Sequence, residues 1–141
     1  MLFVGSYHHS LDAKKRIFIP AKFREGLGCE FYICRKFDAY LSVYTAADWE
    51  KYVETISALP ESDAAELQDY LLGSAQHCVP DASGRIILDD KLLRFAKIDK
   101  NVVFVGAGHQ VRIWAEEIWD AHEEELDGSD RIRQAMRKYN L

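Results

Sequence analysis

A chain of 141 residues, 48% hydrophobic and 12% aromatic, carries enough apolar mass for one packed interior or two small halves sharing it, which excludes disorder over its whole length. No run approaches the roughly 18 apolar residues of a membrane span, and residues 1–10 hold no basic patch followed by an apolar stretch, so a soluble cytoplasmic protein without a signal peptide is expected. The formal net charge of −5 weighs against nucleic acid as a partner, although the distribution of charge matters more than its sum.

The chain opens with an extended segment that enters a tight turn at Ala13-Lys14-Lys15. Arg16-Ile-Phe-Ile leaves the turn as a strand alternating with period two. Pro20 suits the first position of a short helix over residues 21–27, with Gly28 as its stop. Strands are expected at residues 31–34 and 40–44. Thr45-Ala-Ala-Asp48 comes close to a capping box ahead of Trp49, so a helix starts there. Residues 62–75 read as a connector helix packed across both halves, with Ala65, Leu67, Tyr70, Leu71 and Leu72 as its apolar contacts. A second tight turn then falls at Ala82-Ser83-Gly84, followed by the strand Arg85-Ile-Ile-Leu. Asp89 or Asp90 caps a helix over residues 91–97. Strands at 102–105 and 110–114 lead to a helix favoured at its start by Glu116 and Glu117. The basic tail reads either as a helix with Ile132, Ala135, Met136 and Tyr139 on one face or as a frayed terminus.

The second run of elements repeats the first. Asp12-Ala-Lys-Lys-Arg16-Ile recurs as Asp81-Ala-Ser-Gly-Arg85-Ile at an offset of 69, and Tyr44-x4-Trp49 recurs as Trp114-x4-Trp119 at an offset of 70. Between these anchors Ile17 and Ile19 answer Ile86 and Leu88, Leu41 and Val43 answer Val111 and Ile113, and His8 answers His77. Two separated anchors in one register mark a tandem duplication. The expected organisation is a first hairpin-helix module over 1–60, a connector over 61–76, a second module over 77–127 and a basic tail over 128–141. The fold class is α+β, short strands plus flanking helices with pseudo-twofold symmetry.

Charge is segregated along the chain. Residues 12–24 hold five bases (Lys14, Lys15, Arg16, Lys22, Arg24) and one acid, residues 45–69 seven acids and one base, and residues 115–130 eight acids with no Lys or Arg. Residues 131–141 hold four bases and no acid. Such a protein can repel DNA over most of its surface and attract it at one edge; ordinary solvated helices account for the acids equally well. Cys29, Cys34 and Cys78 are an odd number whose spacings match neither a disulfide framework nor a zinc site. His8, His9 and His77 have no diagnostic spacing to those cysteines. No catalytic residue, metal, cofactor or small-molecule substrate is therefore expected.

The residues that call for an explanation are Asp12 with Arg16 and Asp81 with Arg85. An Asp opening a turn accepts backbone amides two residues on, which stabilises the hairpin. The Arg four residues later suits either an ion pair with that Asp or a phosphate or guanine edge outside the chain. Two copies about a pseudo-twofold axis, with Lys14 and Lys15 beside the first, favour contact with DNA.

Leu11-Asp12-Ala-Lys-Lys-Arg16-Ile-Phe-Ile-Pro20, Leu71-Leu72-Gly73-Ser-Ala and Asp81-Ala-Ser-Gly84-Arg85-Ile resemble the MraZ family of bacterial transcriptional regulators, in order and over roughly residues 1–127. The resemblance implies the tandem double swapped-hairpin fold of AbrB-like and MazE-like regulators, with the Asp-x-x-x-Arg pairs as its signature. It also implies ring-shaped homo-oligomers in the nucleoid that bind repeated promoter elements of double-stranded DNA and control their own operon in the division and cell-wall gene cluster. On that reading Lys14, Lys15, Arg16 and Arg85 contact DNA, and Asp12 and Asp81 stabilise the turns. Whether Arg85 touches DNA or only fixes its turn stays open. One departure concerns Lys15, which stands where the family often has Gly, as Gly84 does in the second turn; a positive φ there would strain it. The alternative is an antitoxin-like or scaffold module that offers the acidic helices around Trp49 and Trp119 to a protein partner.

Overall fold

The computed structural model describes residues 2–37 and 39–141; Met1, the first residue of the expected first module, and Asp38 lie outside the described residues. The first copy comprises β1 (Ser6–Ser10), β2 (Arg16–Phe18), α1 (Ala21–Leu27), β3 (Phe31–Arg35), β4 (Tyr40–Thr45) and α2 (Ala46–Ser57). Next comes α3 (Glu61–Leu67), which widens into a π-helical turn over Gln68–Leu72. The order then repeats as β5 (Gln76–Cys78), β6 (Arg85–Ile87), α4 (Asp90–Ala96), β7 (Asn101–Gly106), β8 (Val111–Ala115) and α5 (Glu116–Asp127), followed by α6 (Asp130–Lys138). The fold is a mixed α+β one built on an antiparallel sheet.

The local starts and stops follow from side-chain chemistry. Pro20 is the N-cap of α1 rather than its first helical residue, and Gly28 ends that helix at φ 78°. The Thr45 hydroxyl accepts the Asp48 amide at 3.2 Å and so caps α2. Asp89 holds the N-cap position of α4, but its carboxylate makes no capping hydrogen bond there, and Lys97 ends the helix in the left-handed region.

The main sheet has the strand order β1-β7-β8-β4-β3-β5. Read from either end, corresponding strands of the two copies succeed one another, so a pseudo-twofold axis passes between β4 and β8. On the same axis β2 and β6 form a separate antiparallel ribbon in which Ile17 faces its counterpart Ile86. β1 pairs with β7 and β5 with β3, so the first strand of each copy completes the sheet half of the other.

Period-two alternation gives the sheet two different faces. Phe31, Ile33, Leu41, Val43, Val102, Phe104, Val111 and Ile113 turn inward, against Ile17, Ile19, Ile86 and Leu88 beside the ribbon and Phe23 and Leu92 of α1 and α4. On the other face Tyr32, Cys34 and Tyr44 meet Trp49 and Tyr52 of α2, with the Tyr32 and Trp49 rings stacked 5.0 Å apart. Trp114 meets Trp119 and His122 of α5 on that face too. Trp49 is buried; Trp119 is only half-buried, and α5 buries none of its residues.

The connector packs chiefly on α2 and β3 rather than across both halves. Leu72 joins the Tyr32–Trp49 cluster, while the Arg35 guanidinium lies 3.8 Å over the Tyr70 ring and its Nε donates to the Tyr70 carbonyl at 3.1 Å. The Ser74 hydroxyl donates to the same carbonyl at 2.7 Å. These donors engage a carbonyl in the widened turn, which the Gly73 amide closes on Gln68. Position 73 must be glycine, since a Cβ there would sit 2.6 Å from the Asp69 carbonyl oxygen. The run Leu71-Leu72-Gly73-Ser74 is thus the chemistry of one turn.

Candidate nucleic-acid interface

The two tight turns and the ribbon between them gather every residue singled out around the Asp-x-x-x-Arg pairs. Asp12 Oδ1 accepts the amides of Lys14 and Arg16, each at 2.9 Å, and Oδ2 accepts Arg16 Nε at 2.7 Å. Asp81 repeats the arrangement with the Ser83 amide at 3.0 Å and the Arg85 amide and Nε at 2.9 Å. Each carboxylate therefore fixes its turn and orients the guanidinium that follows. Among the described residues no further side-chain hydrogen bond engages either Arg, so the outer Nη edge of each fork stays available.

The third turn residue takes a positive φ in both copies, 84° at Gly84 and 60° at Lys15. A lysine tolerates that conformation at a cost of about 1–2 kcal/mol. At Gly84 a Cβ would also lie 2.7 Å from Arg24 Cζ, because Arg24 packs over that turn and donates its Nε to the Ile19 carbonyl at 2.8 Å. The Lys15 ammonium forms an ion pair with Asp90 Oδ1 of α4, whereas Lys14 is exposed and its ammonium makes no ion pair among the described residues. The two lysines are thus unequal: Lys15 ties the first turn to the second copy, while the Lys14 ammonium has no partner among the described residues.

Because Ile17 and Ile86 point into the core, Arg16, Phe18, Arg85 and Ile87 share the outer face of the ribbon. Arg16 lies opposite Ile87 and Phe18 opposite Arg85, an arrangement symmetric about the axis. Phe18 and Ile87 are 44% and 57% exposed and stand together on that face, a small apolar patch between the two arginines. Neither entered the sequence-based site, although the alternation Ile17-Phe18-Ile19 and Ile86-Ile87-Leu88 already implies that both point outward. A groove of about 300 Å³ runs beside the ribbon, lined by both arginines, His77, Val79 and Ile87 among others. The acidic helix α2 packs on the opposite face of the sheet, through Trp49, and the Trp119 and His122 rings of α5 meet Trp114 there. Basic turns and the clusters that anchor the acidic helices thus lie on opposite sides of the sheet.

The two carboxyls titrate below their ordinary value near 3.8, chiefly because each accepts the amide of its own Arg and then that Arg's side chain. A depressed folded-state value means the turn-fixing contact is complete at neutral pH and fades only as pH falls through that lower value. Amide hydrogen exchange at Arg16 and Arg85, corrected for its intrinsic pH dependence, should therefore stay protected from neutrality down to about pH 5 and open below the ordinary carboxylate range. Opening already near pH 6 would contradict this geometry.

The histidines and cysteines do not converge. His8 Nδ1 meets Glu116 at 2.9 Å and His77 Nε2 meets Glu30 at 3.0 Å, both at the surface. Burial pushes the Cys34 thiol up to about 11 and Cys78 to about 12, so both stay protonated, while Cys29 is exposed. Among the described residues no three His, Cys, Asp or Glu side chains stand close enough to hold a metal ion. No helix among them is long and apolar enough to cross a membrane.

Comparison with known proteins adds an independent finding. The sequence profile of a family described as "MraZ protein, putative antitoxin-like" matches the chain twice, over residues 2–69 and 71–140. Each match takes in a closing helix, α3 in the first and α6 in the second. Among relatives named Transcriptional regulator MraZ, that of Lachnoclostridium phytofermentans is 37% identical over 141 residues, 99% of either chain. That of Caldanaerobacter subterraneus subsp. tengcongensis is 35% identical over 143 residues, covering 99% of this chain and all of the relative. The protein of Carboxydothermus hydrogenoformans is 41% identical over 121 residues, 84% of this chain and 85% of its own.

Proposed function

This chain belongs to the MraZ family, and from that premise we propose that it is a transcriptional regulator that grips duplex DNA with the outer face of the β2–β6 ribbon. The observation that carries the reading is the ribbon itself. Its two strands are antiparallel, its centre lies on the pseudo-twofold axis, and it presents Arg16 and Arg85 in equivalent places with their Nε atoms already committed to Asp12 and Asp81. A two-stranded ribbon fits the major groove, about 12 Å wide, and a guanidinium edge suits the N7 and O6 of guanine. Phe18 and Ile87 beside them offer apolar contact to thymine methyl groups. Arg85 is the matching contact to Arg16, since the two share one geometry. Lys14 neutralises phosphate, and Lys15 contributes mainly by holding the turn against α4.

The exchange of β1 and β5 between the halves supports an AbrB-like swapped-hairpin fold, with modules over 1–60 and 77–127, a connector over 61–76 and a tail over 128–141. No catalytic site or cofactor belongs to this function. One ribbon is a small footprint on an acidic protein, so a single copy binds weakly. A homo-oligomeric ring in the nucleoid repeats the ribbon along its rim and meets successive promoter repeats, which raises avidity without new contacts. The promoter of its own division and cell-wall operon is the expected target.

Fragments of the region upstream of its own gene, carrying one, two and four repeats and titrated at several salt concentrations, test this. Affinity should climb steeply with repeat number and fall with salt. Equal affinity for all three fragments would remove the multivalent mechanism.

A further inference from the structure

The two copies differ most at their closing helices. α3 and α6 occupy corresponding places, and Leu67 and Tyr70 recur at an offset of 69 as Met136 and Tyr139. In the first copy the helix lies down, held by Arg35 across Tyr70 and by Leu72 in the aromatic cluster. In the second copy no comparable contact holds it among the described residues. Arg35 pairs with Leu41 on β4, and the residue that pairs with Val111, the counterpart of Leu41, is Gly106. Gly106 has no side chain, and the backbone of Phe3 and Val4 crowds it so closely that a Cβ would lie 2.4 Å from the Val4 amide nitrogen. The N-terminal segment has taken that place, bridging Phe3 to Gly108. α6 is consequently held loosely, by an exposed ion pair of Arg131 with Glu125 of α5 at 3.8 Å, and residues 131–141 are exposed throughout.

Yet α6 is built to pack. Ile132, Met136 and Tyr139 fall at i, i+4 and i+7 on one face, between 37% and 65% exposed, with Arg133, Arg137 and Lys138 flanking them. The surface that complements this face lies on α3. A groove of about 500 Å³ there is lined by Leu59, Leu67 and Tyr70 and edged by Asp63 and Glu66. The wider charges agree, since residues 45–69 hold seven acids against one base while residues 131–141 hold four bases and no acid.

We propose that α6 of one chain docks into the α3 groove of a second copy, apolar stripe on apolar stripe, with its bases against Asp63 and Glu66. This rests on the oligomeric reading above and gives it a surface. Donor and acceptor are different surfaces of one chain, so the contact can run head to tail and propagate until a ring closes. DNA alone is the poorer occupant for α6: phosphate would satisfy its charges and leave Ile132, Met136 and Tyr139 bare.

The test uses full-length chains carrying Cys29→Ser, so that only the buried Cys34 and Cys78 remain. One chain carries Leu59→Cys and a second, tagged to differ in size, carries Met136→Cys. A short bifunctional maleimide should link the two different chains. Linkage only when both cysteines sit on one chain would mean that α6 folds back, overturning the proposal. In parallel, the double variant Ile132→Asp/Met136→Asp changes exposed residues and so leaves the fold intact; its particle mass should fall from the oligomer toward the single chain. Asp63→Lys/Glu66→Lys should do the same, and mixing it with Arg133→Glu/Arg137→Glu should restore assembly. An oligomer indifferent to these changes overturns the docking while sparing the ring. Single chains only, at micromolar concentration of the unaltered protein, overturn both. Unchanged mass with weaker binding to one DNA repeat assigns α6 to DNA instead.

Discussion

A chain cut after Ala58 should be unfolded as a monomer, and any folded form it reaches should be a dimer. The cut leaves β1 without β7 and β2 without β6, their only strand partners among the described residues, and it takes β5 from β3 and β8 from β4. It also strips Ile17, Ile19 and Phe23, each 1% exposed, of Ile86, Leu88 and Leu92 across the axis. Full burial of such a side chain contributes about 1.5–3 kcal/mol. A small domain is stable by only about 5–15 kcal/mol in total, so exposing several of them together exceeds the margin. Two copies of the fragment can repair the loss, because Ile17 faces its own counterpart and a second Ile17 would serve for Ile86. Circular dichroism together with sedimentation decides the matter. A fragment that is folded at the mass of one chain would mean that the exchanged strands do not hold the halves together.

The second large effect is on DNA. Arg16→Ala should abolish sequence-specific binding while particle mass and far-ultraviolet spectrum stay as they were, since Arg16 lies on the outer face and the core residue beneath it, Ile17, is untouched. A specific arginine contact is worth about 1–3 kcal/mol of discrimination, and an oligomer loses it in every subunit that touches DNA. Arg16 also holds Asp12, so Asp12→Ala is the control that separates the two roles. Asp12→Ala loosens the turn but keeps the guanidinium, and should weaken binding less than Arg16→Ala does. Equal losses would reduce Arg16 to a turn-fixing residue. Lys14→Ala should instead weaken binding alike on all sequences and lower the salt slope by about one per contacting subunit.

Much of this architecture could be read locally. The turn Ala13-Lys14-Lys15, the helix Ala21–Leu27 closed by Gly28 and the cap at Thr45 follow from side-chain chemistry within a few residues, and the structure has each of them. Membership of the MraZ family was equally legible, through the resemblance of the runs around Asp12, Gly73 and Asp81 to that family. Phe18 and Ile87 were less legible, because hydrophobicity alone places an apolar strand residue in the core, and only the alternation with Ile17, Ile19, Ile86 and Leu88 turns these two outward. The π-helical turn at Gln68–Leu72 left only a glycine as its trace, and a glycine serves many backbone purposes.

What the amino-acid sequence determined by itself is the set of elements, their duplication and the face that each one buries. Hydrophobic period records that Ile17 and Ile86 are buried, but the two lie 69 positions apart and nothing in the period says that they bury each other. Only the tertiary structure decided that β1 belongs to the second half's sheet, that Lys15 ends on Asp90, and that α3 lies down while α6 stays exposed. The reason is physical. Local chemistry acts within a turn or two of the chain, whereas long-range pairing is selected by the fit of whole surfaces, so two copies that share a pattern of elements settle into different surroundings where their residues differ, as at Arg35 against Gly106.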